Sequence, residues 1–464
     1  MEQKTIFITI SIGIIARNLL RTDFFKILKE QKNLRIVLIM PPNVDEYLKK
    51  ELLADNVVIE GWRGRVRAGV FRHFLLYPFM AHLVFTESTK MFLRYGKVRQ
   101  PKNTPFRYWF GVMFFWPLSK IKFLKNFTRW IDLKFFSRYD QDYEELFKKY
   151  NPCLVFATNL TIDPIDKALL RIAKKQDIKT IGMAKSWDNL DKYLITVLPD
   201  IFLVWNEKMK NDLIKLQNMP AEKIILTGIP QFDIYKNSSI FWTREEYCAR
   251  FNIDPAKKIL FFGSGFANAF DEELVTILRT FIENKELVKD CVLLLRPHFR
   301  DWQLKDGWFW EMKGKPGIIL DFQDRLAKCF SDLWDPSYDD MIRLANHFYH
   351  CDVLITTQST LSLDGIVFSK PVINIAFDGF FERPKFLRSK KWFSLSHYQP
   401  IVKSKAVFIA ENIEMLRKII NDCLENPTLK KTEQESFTQE FCFRFDGHSS
   451  QRIAEAALGQ IGFK

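Results

Sequence analysis

The sequence predicts an α/β protein of two successive halves, each built on a parallel sheet wound on both faces by helices. Short apolar runs rich in β-branched residues alternate with helical patterns of roughly 10–15 residues along nearly the whole chain. This alternation favours parallel strands joined by crossover helices. A polar break after residue 236 separates the two series, and 464 residues suffice for two or three domains of roughly 100–200 residues each.

The strands are expected where the apolar runs lie. In the first half they are Thr5–Ile10, Leu34–Met40, Asn56–Ile59, Cys153–Ala157, Ile178–Met183, Ile201–Trp205 and Lys223–Thr227. In the second half they are Lys258–Phe262, Cys291–Leu295, Gly317–Leu320, Asp352–Ile355 and Pro371–Ile375. We therefore expect an N-terminal domain over residues 1–236, a linker over 237–256 and a C-terminal domain over 257–464.

The charge of the chain is concentrated in one segment. Hydrophobic residues make up 47% and charged residues 27%, which is typical of globular proteins and excludes wholesale disorder. The net charge is +14, and residues 61–138 alone contain 16 Lys or Arg against the two acids Glu87 and Asp132. Such a local excess indicates one anionic partner surface.

This basic segment, residues 61–138, is predicted to be an insertion because it does not follow the strand–helix alternation. It holds 12 aromatic residues within the 31 residues from 106 to 136. In a helix from about residue 118, Lys122, Lys125 and Arg129 share one face beside aromatics such as Trp130. A basic stripe with aromatic flanks favours contact with an anionic membrane. The alternatives are a buried helix with snorkelling lysines and a nucleic-acid surface, although no nucleic-acid motif accompanies it.

Cysteine use and hydropathy favour a cytoplasmic protein. The seven cysteines form no CxxC pair, so reduced, mostly buried thiols are expected. The apolar run from Ile6 to Ile15 is followed by no cleavage site for a signal peptidase. No apolar run approaches the ~20 residues needed to cross a bilayer. We expect a soluble protein, or one bound peripherally to the inner face of the membrane.

Two short motifs follow neighbouring strands of the second half. Gly263, Ser264 and Gly265 come directly after one strand, where small residues let backbone amides approach a phosphate. Their alternative role is a plain tight turn. Arg296 and His298 follow the next strand, where a guanidinium can grip a phosphate and an imidazole can donate a hydrogen bond or carry a proton.

A third motif, residues 356–365, follows the strand that ends at Ile355. Its hydroxyl residues Thr357, Ser359 and Thr360 stand where a helix should begin, an arrangement suited to binding a diphosphate. Asp364 follows about one turn later, within reach of a sugar hydroxyl. The alternative is ordinary capping of the helix by Ser359 or Thr360.

The first half offers a fourth motif, residues 185–189, after the strand that ends at Met183. Asp188 is a candidate general base, Trp187 a candidate apolar wall, and Lys185 a further contact for the acceptor. The alternative is a turn capped by Asp188. Arg17 and Asp23, after the first strand, are additional acceptor-side candidates.

No metal site is expected. The sequence contains no HExxH or GxSxG motif and no DxD pair placed as in metal-dependent glycosyltransferases. His347 and His350 lie on one predicted helix with Met341 and Leu344, which favours a structural role for both.

The order of several motifs resembles a known superfamily. In chain order they are Trp205–Asn206, Leu226–Asp233, Lys257–Leu260, Arg296–His298, Ser337–Met341, Cys351–Thr360, Lys370–Val372 and Phe377–Asp378. Over residues 150–380 this set is similar to GT-B enzymes, whose two Rossmann-like domains face each other across a cleft. It resembles in particular the CDP-glycerol glycerophosphotransferases and bacterial surface-polysaccharide glycosyltransferases, and it overlaps the non-hydrolysing UDP-N-acetylglucosamine 2-epimerases.

The resemblance implies roles for individual residues. Arg296, His298, Ser359 and Thr360 would hold the donor diphosphate, and Asp364 matches an acidic residue of the family. The glycerophosphotransferases carry a His-Gly pair after the strand matching 178–183, whereas this chain has Ser-Trp-Asp at 186–188. We therefore expect Asp188 to replace that histidine as the base. The paired glutamates of the epimerases are missing between residues 358 and 364.

These observations predict a metal-independent glycosyltransferase without a cofactor. It would move a sugar, or a polyol-phosphate-like group, from a nucleotide donor to a glycan or lipid-linked acceptor. Asp188 and His298 are its expected catalytic residues. The alternatives are a nucleotide-sugar epimerase and a non-catalytic scaffold of the same fold.

Overall fold

The computed structural model describes residues 3–62, 78–97, 100–135, 141–161, 164–265, 270–299 and 307–463. These residues form two lobes, each built on a parallel sheet. The first lobe is the sheet of the N-terminal half with its helices, and the second lobe is the sheet of the C-terminal half with its helices.

The first sheet has seven parallel strands in the order β3-β2-β1-β6-β7-β8-β9. Its strands are β1 Lys4–Thr9, β2 Leu34–Met40, β3 Val57–Gly61, β6 Leu154–Ala157, β7 Lys179–Met183, β8 Ile201–Val204 and β9 Ile224–Leu226. The helices are α1 Gly13–Ile15, continued by a π-helical turn Ala16–Leu20, α2 Asp23–Lys29, α3 Glu46–Leu52, α4 Glu87–Tyr95, α5 Pro105–Ser119, α6 Lys122–Phe135, α7 Gln141–Tyr150, α8 Pro164–Lys175 and α9 Glu207–Gln217. A two-stranded hairpin, β4 Gly96–Lys97 and β5 Gln100–Pro101, lies within the insertion.

The second sheet has six parallel strands in the order β12-β11-β10-β13-β14-β15. Its strands are β10 Lys258–Gly263, β11 Cys291–Arg296, β12 Ile318–Leu320, β13 Val353–Thr356, β14 Val372–Ile375 and β15 Phe408–Ala410. The helices are α10 Arg244–Phe251, α11 Asp271–Glu283, α12 Tyr338–His350, α13 Leu361–Val367, α14 Gln399–Ser404, α15 Ile413–Glu425, α16 Lys431–Phe441 and α17 Ser449–Gln460. Short 3₁₀ segments cover Ala221–Lys223, Pro230–Lys236, Ser238–Ile240, Trp308–Met312 and Ser389–Ser394.

All twelve predicted strands form, with ends that shift by one or two residues. The apolar runs are readable because both faces of a parallel sheet are covered by helices, so each strand is almost continuously hydrophobic. The sequence missed β15, which is only three residues long. All seven cysteines are free thiols.

The end of the chain corrects the predicted domain division. Helix α17 packs on α2 and the first sheet, where Ile453, Ala454 and Ala457 join the core of the first lobe. The backbone amides of Ser449 and Ser450 donate to the two carboxylate oxygens of Asp233 at 3.0 and 2.6 Å. The last helix is therefore part of the first lobe, although it belongs to the segment predicted as the C-terminal domain.

The described part of the insertion includes the helices α4, α5 and α6. The predicted basic stripe on α6 is wrong for two of its three cations. The Lys125 Nζ donates to the Leu216 carbonyl at 2.8 Å, and the Arg129 guanidinium donates to the carbonyls of Ile195 and Gln217 at 2.9 and 2.7 Å. Because α9 ends with unpaired carbonyls beside α6, these cations cap it rather than face outward.

The outer surface of α5 and α6 is aromatic instead. We call these exposed side chains the aromatic face: Phe106, Trp109, Phe110, Phe114, Trp116, Phe123, Phe127, Trp130 and Phe135. Phe106 is 81% and Phe123 73% exposed. Lys122 is exposed beside them, as are Arg107, Lys120 and Lys134. Among the described helices, none is both long and apolar enough to cross a membrane.

A loop of the second lobe, residues 321–335, binds the first lobe directly. Asp332 accepts from the backbone amides of Gly13 and Ile14 at 3.0 and 3.3 Å. A Cβ at Gly13 would lie 1.3 Å from the Trp334 carbonyl oxygen, so only glycine permits this approach. A buried ion pair of 2.6 Å between Arg21 and Asp335 reinforces the contact. These bonds set the opening between the lobes.

Candidate functional site

A cleft of about 1000 Å³ lies between the two lobes, at the carboxyl ends of their strands. This is where ligands bind in open α/β sheets, because loops and helix starts converge there. Of the predicted site residues, it is lined by Arg17, Lys185, Trp187, Asp188, Ser264, Arg296, His298, Ser359, Thr360 and Asp364. The predicted residues that do not line it are Asp23, Gly263, Gly265 and Thr357.

The structure places these four residues outside the lining of the cleft. Asp23 is exposed at the start of α2, whereas Thr357 is buried directly after β13. Gly263 is the last residue of β10, and a Cβ there would lie 2.2 Å from the Leu361 Cδ1. It therefore allows α13 to approach the sheet, which is a packing role. Gly265 is buried just before residues 266–269, which lie outside the described ranges.

Arg296 belongs to a buried ion-pair network. Its guanidinium bonds Asp321 and, at 2.8 Å, Asp340, while Arg343 and His347 also contact Asp321 at 3.0 Å. Burial alone would lower the pKa of Arg296, but the two carboxylates raise it. A donor phosphate would have to compete with both of them for this cation. The predicted role of Arg296 as a direct diphosphate ligand is thus disfavoured, and the structure gives it a role in fixing the loop that carries His298.

Ser264 and His298 have different surroundings on the same edge. The Ser264 hydroxyl donates to Asp271, and its backbone amide donates to the Arg296 carbonyl at 3.1 Å. His298 is half-buried and packs on the Phe299 ring with centroids 4.2 Å apart. Phe299 in turn stacks on Trp334 at 5.1 Å, so His298 is held at the cleft wall.

The start of α13 presents the two hydroxyls predicted to meet the diphosphate. The Ser359 Oγ accepts from the Leu361 amide at 3.3 Å, and Thr360 is exposed. Behind them, the Tyr398 hydroxyl bonds Ser362 at 3.0 Å and Asn374 at 2.8 Å. This buried polar network anchors the helix start from behind, and its hydrogen bonds are all internal to the second lobe.

Asp364 lies at the floor of the cleft and bonds a residue that the sequence did not reveal. The Tyr235 hydroxyl donates to its Oδ1 at 2.6 Å. Burial raises the pKa of Asp364 to about 6, against the opposing effects of Tyr235 and Arg17. The predicted acid is therefore available for a hydroxyl ligand but titrates near neutrality.

Replacing Asp364 by Asn should change how stability depends on pH. Between pH 4 and 6 the folded chain retains a proton on Asp364 that the unfolded chain has lost, so stability falls as pH rises through this window. Asp364→Asn removes this titration, and its urea midpoint relative to the unmodified chain should rise between pH 4 and pH 7. Tyr235→Phe should have the opposite effect, because it removes a bond to the ionised form. An Asp364→Asn difference that is equal at both pH values would contradict the assignment.

Asp188, the predicted base, is paired with a cation of its own loop. The Lys192 Nζ lies 2.5 Å from its Oδ2. Burial would raise the pKa of Asp188, but Lys192 and His397 outweigh it and hold the pKa well below its usual range. A carboxylate that binds a proton so weakly is a poor general base. The geometry therefore disfavours the predicted catalytic role of Asp188.

Arg17 enters the cleft from the π-helical turn of the first lobe. Its Nε and Nη2 donate to the Asn18 Oδ1 at 3.0 and 2.9 Å, and its guanidinium lies 4.7 Å from the Trp334 ring centroid. Among the described residues, no carboxylate forms an ion pair with it. Arg17 therefore lines the cleft as a cation without an ion pair among the described residues, although the carboxylates of Asp364 and Asp332 lie close enough to act on its charge.

Sequence reasoning also missed His397 and Trp334, which line the cleft from loops of the second lobe. The other candidates were predicted because they lie in segments that follow predicted strands. Neither His397 nor Trp334 occupies such a position. His347 and His350 are buried and bond Asp321 and the Trp242 carbonyl, in keeping with a structural role. In the part of the chain that the structure describes, no cluster of three or more His, Cys, Asp or Glu side chains forms a metal site.

A family model of CDP-glycerol:poly(glycerophosphate) glycerophosphotransferases matches residues 169–459, which is more than half of the chain. The chain belongs to this family. The matched segment includes the loops of Asp188 and Arg296 and the start of α13, whereas Arg17 on the first-lobe wall lies outside it. No curated protein matches the chain by sequence.

Several solved structures of other proteins are similar in fold to this glycerophosphotransferase family member. UDP-GlcNAc 2-epimerase from Neisseria meningitidis, bound to UDP-GlcNAc, has a TM-score of 0.56 at 10% identity, covering 99% of this chain and 100% of that one. A glycosyltransferase from Rickettsia africae has a TM-score of 0.50 at 14% identity, covering 99% of each chain. UDP-GlcNAc 2-epimerase from Methanocaldococcus jannaschii reaches 0.51 at 13% identity, covering 98% of this chain and 99% of that one. These likenesses confirm the predicted GT-B fold.

Proposed function

We propose that this protein transfers a glycerol-phosphate-like unit from a nucleotide-linked donor to a phosphate-rich glycan at a membrane surface. The observation that carries the proposal is the cleft of a glycerophosphotransferase-family chain, where polar groups of the second lobe face Arg17 of the first lobe, a cation without an ion pair among the described residues. A sugar in place of the polyol phosphate is the alternative donor group. Epimerase neighbours are similar in fold alone, and the paired glutamates of the epimerases are missing here.

The donor is assigned to the second lobe. Ser359 and Thr360 offer hydroxyls at the start of α13, and His298 offers an imidazole at the end of β11. Hydrogen-bond donors such as these hydroxyls and this imidazole stabilise the negative charge that develops on a departing nucleotide phosphate. Asp364 and Tyr235, at the cleft floor, suit a hydroxyl of the donor. No metal ion is required by this scheme.

The acceptor is assigned to the first lobe because of its cations. Arg17 faces the cleft without a carboxylate partner, and Lys185 lines the same wall. An acceptor that carries phosphodiesters would pair with these groups through charge-assisted hydrogen bonds. Trp187, which is buried and lines the cleft, would supply the apolar wall expected from the sequence.

The membrane is assigned to the aromatic face of α5 and α6. Such a cluster of exposed aromatic side chains is costly in water, and aromatic residues beside lysines and arginines are favourable at a lipid interface. The exposed Arg107, Lys120, Lys122 and Lys134 supply the attraction to anionic headgroups. This surface would hold the enzyme beside a lipid-linked acceptor.

Transfer is tested with CDP-glycerol and a lipid-linked glycerol phosphate primer, alongside UDP-, GDP- and ADP-sugars. The proposal expects elongation of the primer together with release of CMP. Transfer from a nucleotide sugar would replace the donor assignment. Conversion of UDP-GlcNAc into an isomer without acceptor would identify an epimerase, and failure to bind any donor would identify a scaffold.

Membrane binding should depend on the aromatic face. Full burial of a Phe side chain contributes about 1.5–3 kcal/mol, so Phe106→Ser combined with Phe123→Ser should weaken binding to phosphatidylglycerol vesicles at least about tenfold in flotation. Phe381→Ser is the matched control, since Phe381 is 70% exposed on the second lobe. Equal flotation of all three proteins, or none with the unmodified chain, would contradict the assignment.

A further inference from the structure

A histidine of the second lobe is held against a carboxylate of the first lobe, inside the cleft. His397 lies in the turn between residues 389–394 and α14, and its side chain is almost fully buried. Its ring packs edge-on against Trp187 with centroids 5.4 Å apart. Its Nδ1 lies 3.7 Å from the Asp191 Oδ2, so a small rotation of the ring forms a hydrogen bond between the lobes.

Asp191 and the histidine turn are fixed by one common residue. The Ser88 hydroxyl, in the first turn of α4, donates to the Asp191 Oδ2 at 2.8 Å and accepts from the Ser396 amide at 3.0 Å. The Ser88 amide also donates to the Ser396 hydroxyl at 3.1 Å. Ser88 therefore links the carboxylate of Asp191 to the backbone of Ser396, the residue directly before His397, across the two lobes.

The remaining polar atoms of this cluster have no protein partner. Among the described residues, neither the Asp191 Oδ1 nor the His397 Nδ1 forms a hydrogen bond, although both are buried. The His397 Nε2 bonds no described residue either, and the ring lines the cleft. With Nδ1 directed to a carboxylate, the neutral imidazole carries its proton there and leaves Nε2 as a proton acceptor.

The other charges around His397 leave it as the better base of the cleft. Asp188 and Lys192 are paired with each other at 2.5 Å, and the carboxylate of Asp188 is thereby satisfied. The carboxylate of Asp191 lies 3.7 Å from the imidazole, and Asp188, on the same loop with Lys192, also acts on it electrostatically. A carboxylate paired with a lysine is a weak proton acceptor and a protonated amine accepts none, whereas an imidazole with an unbonded ring nitrogen can accept a proton from a hydroxyl.

We propose that His397, oriented by Asp191, is the general base that deprotonates the acceptor hydroxyl. This role rests on the transfer reaction proposed above. The O–H proton moves to Nε2 as the acceptor oxygen forms a bond to the donor phosphorus. The bond from that phosphorus to the bridging oxygen of the nucleotide breaks, and the nucleoside monophosphate leaves with the electron pair. The imidazolium then returns its proton to solvent.

The test compares His397→Gln and Asp191→Asn with the unmodified enzyme and with His448→Gln, which changes an exposed histidine. His397→Gln should lower kcat at least about 100-fold, the usual contribution of a general base, while donor affinity changes less than twofold. It should also abolish the acidic limb of the pH–rate profile. Asp191→Asn should lower kcat about tenfold while the KM for the acceptor changes less than twofold, because it removes the group that orients the imidazole.

The outcomes separate the two proposals. If the unmodified chain transfers its donor and His397→Gln keeps kcat within threefold, the base assignment is overturned alone. If the unmodified chain transfers nothing, both proposals fall. Should His397→Gln fail to fold, Asp191→Asn decides the question, since an unchanged kcat excludes a histidine oriented by this carboxylate.

Discussion

Replacing Asp340 by Ala should lower the free energy of unfolding of the protein by about 3 kcal/mol, as measured by urea denaturation. Asp340 is 1% exposed and bonds Arg296 at 2.8 Å at the start of α12. Its removal leaves a buried guanidinium with half of its charge compensation. The cost is large because a charge without a partner in the interior has lost its hydration.

Two further variants make the result specific. Asp422→Ala, which breaks a solvent-exposed pair with Lys418, should cost less than about 1 kcal/mol. The double variant Asp340→Ala with Arg296→Ala should lower the free energy of unfolding by less than the sum of the two single variants, because each single variant already removes the same ion pair. Strict additivity would show that Arg296 and Asp340 do not stabilise each other.

Replacing Ser359 by Asp should weaken donor binding roughly 1000-fold in a titration with CDP-glycerol. Ser359 lines the cleft at the start of α13. Two unit charges about 4 Å apart repel by about 4 kcal/mol near a protein surface, and each 1.4 kcal/mol changes affinity about tenfold. The fold should tolerate the change, because Asp serves as well as Ser at the beginning of a helix.

Ser238→Asp is the matched control for Ser359→Asp, because it adds the same charge at an exposed serine of the linker. Donor affinity should then remain within about twofold. Ser359→Ala should weaken binding only by a few-fold, since it removes a hydroxyl without adding repulsion. Unchanged donor affinity in Ser359→Asp would remove the start of α13 from the donor site.

The sheets could be predicted because their signal is local. An apolar run such as 291–295 needs only its own residues and the polar ends around it to indicate a buried parallel strand. The carboxyl ends of those strands then located the cleft, and ten predicted residues line it. Residues on loops without a flanking strand, such as His397 and Trp334, carried no comparable signal.

The charges could not be assigned from the sequence. Lys125 and Arg129 were predicted to lie together on one exposed face of a helix. In the structure both side chains donate hydrogen bonds to backbone carbonyls at the end of α9. Arg296 was expected to bind a phosphate, but its guanidinium forms ion pairs with Asp321 and Asp340. In each case the partner is distant in sequence, and its position depends on how whole elements pack.

What the sequence alone determined is the pair of parallel sheets, the family and the location of the cleft. Hydrophobic periodicity and ordered motifs depend on neighbouring residues, so a single chain displays them. Only the tertiary structure decided which polar groups are neutralised and which remain available. Electrostatic compensation depends on distances between side chains from separate elements, as the contact of His397 with Asp191 across the two lobes illustrates.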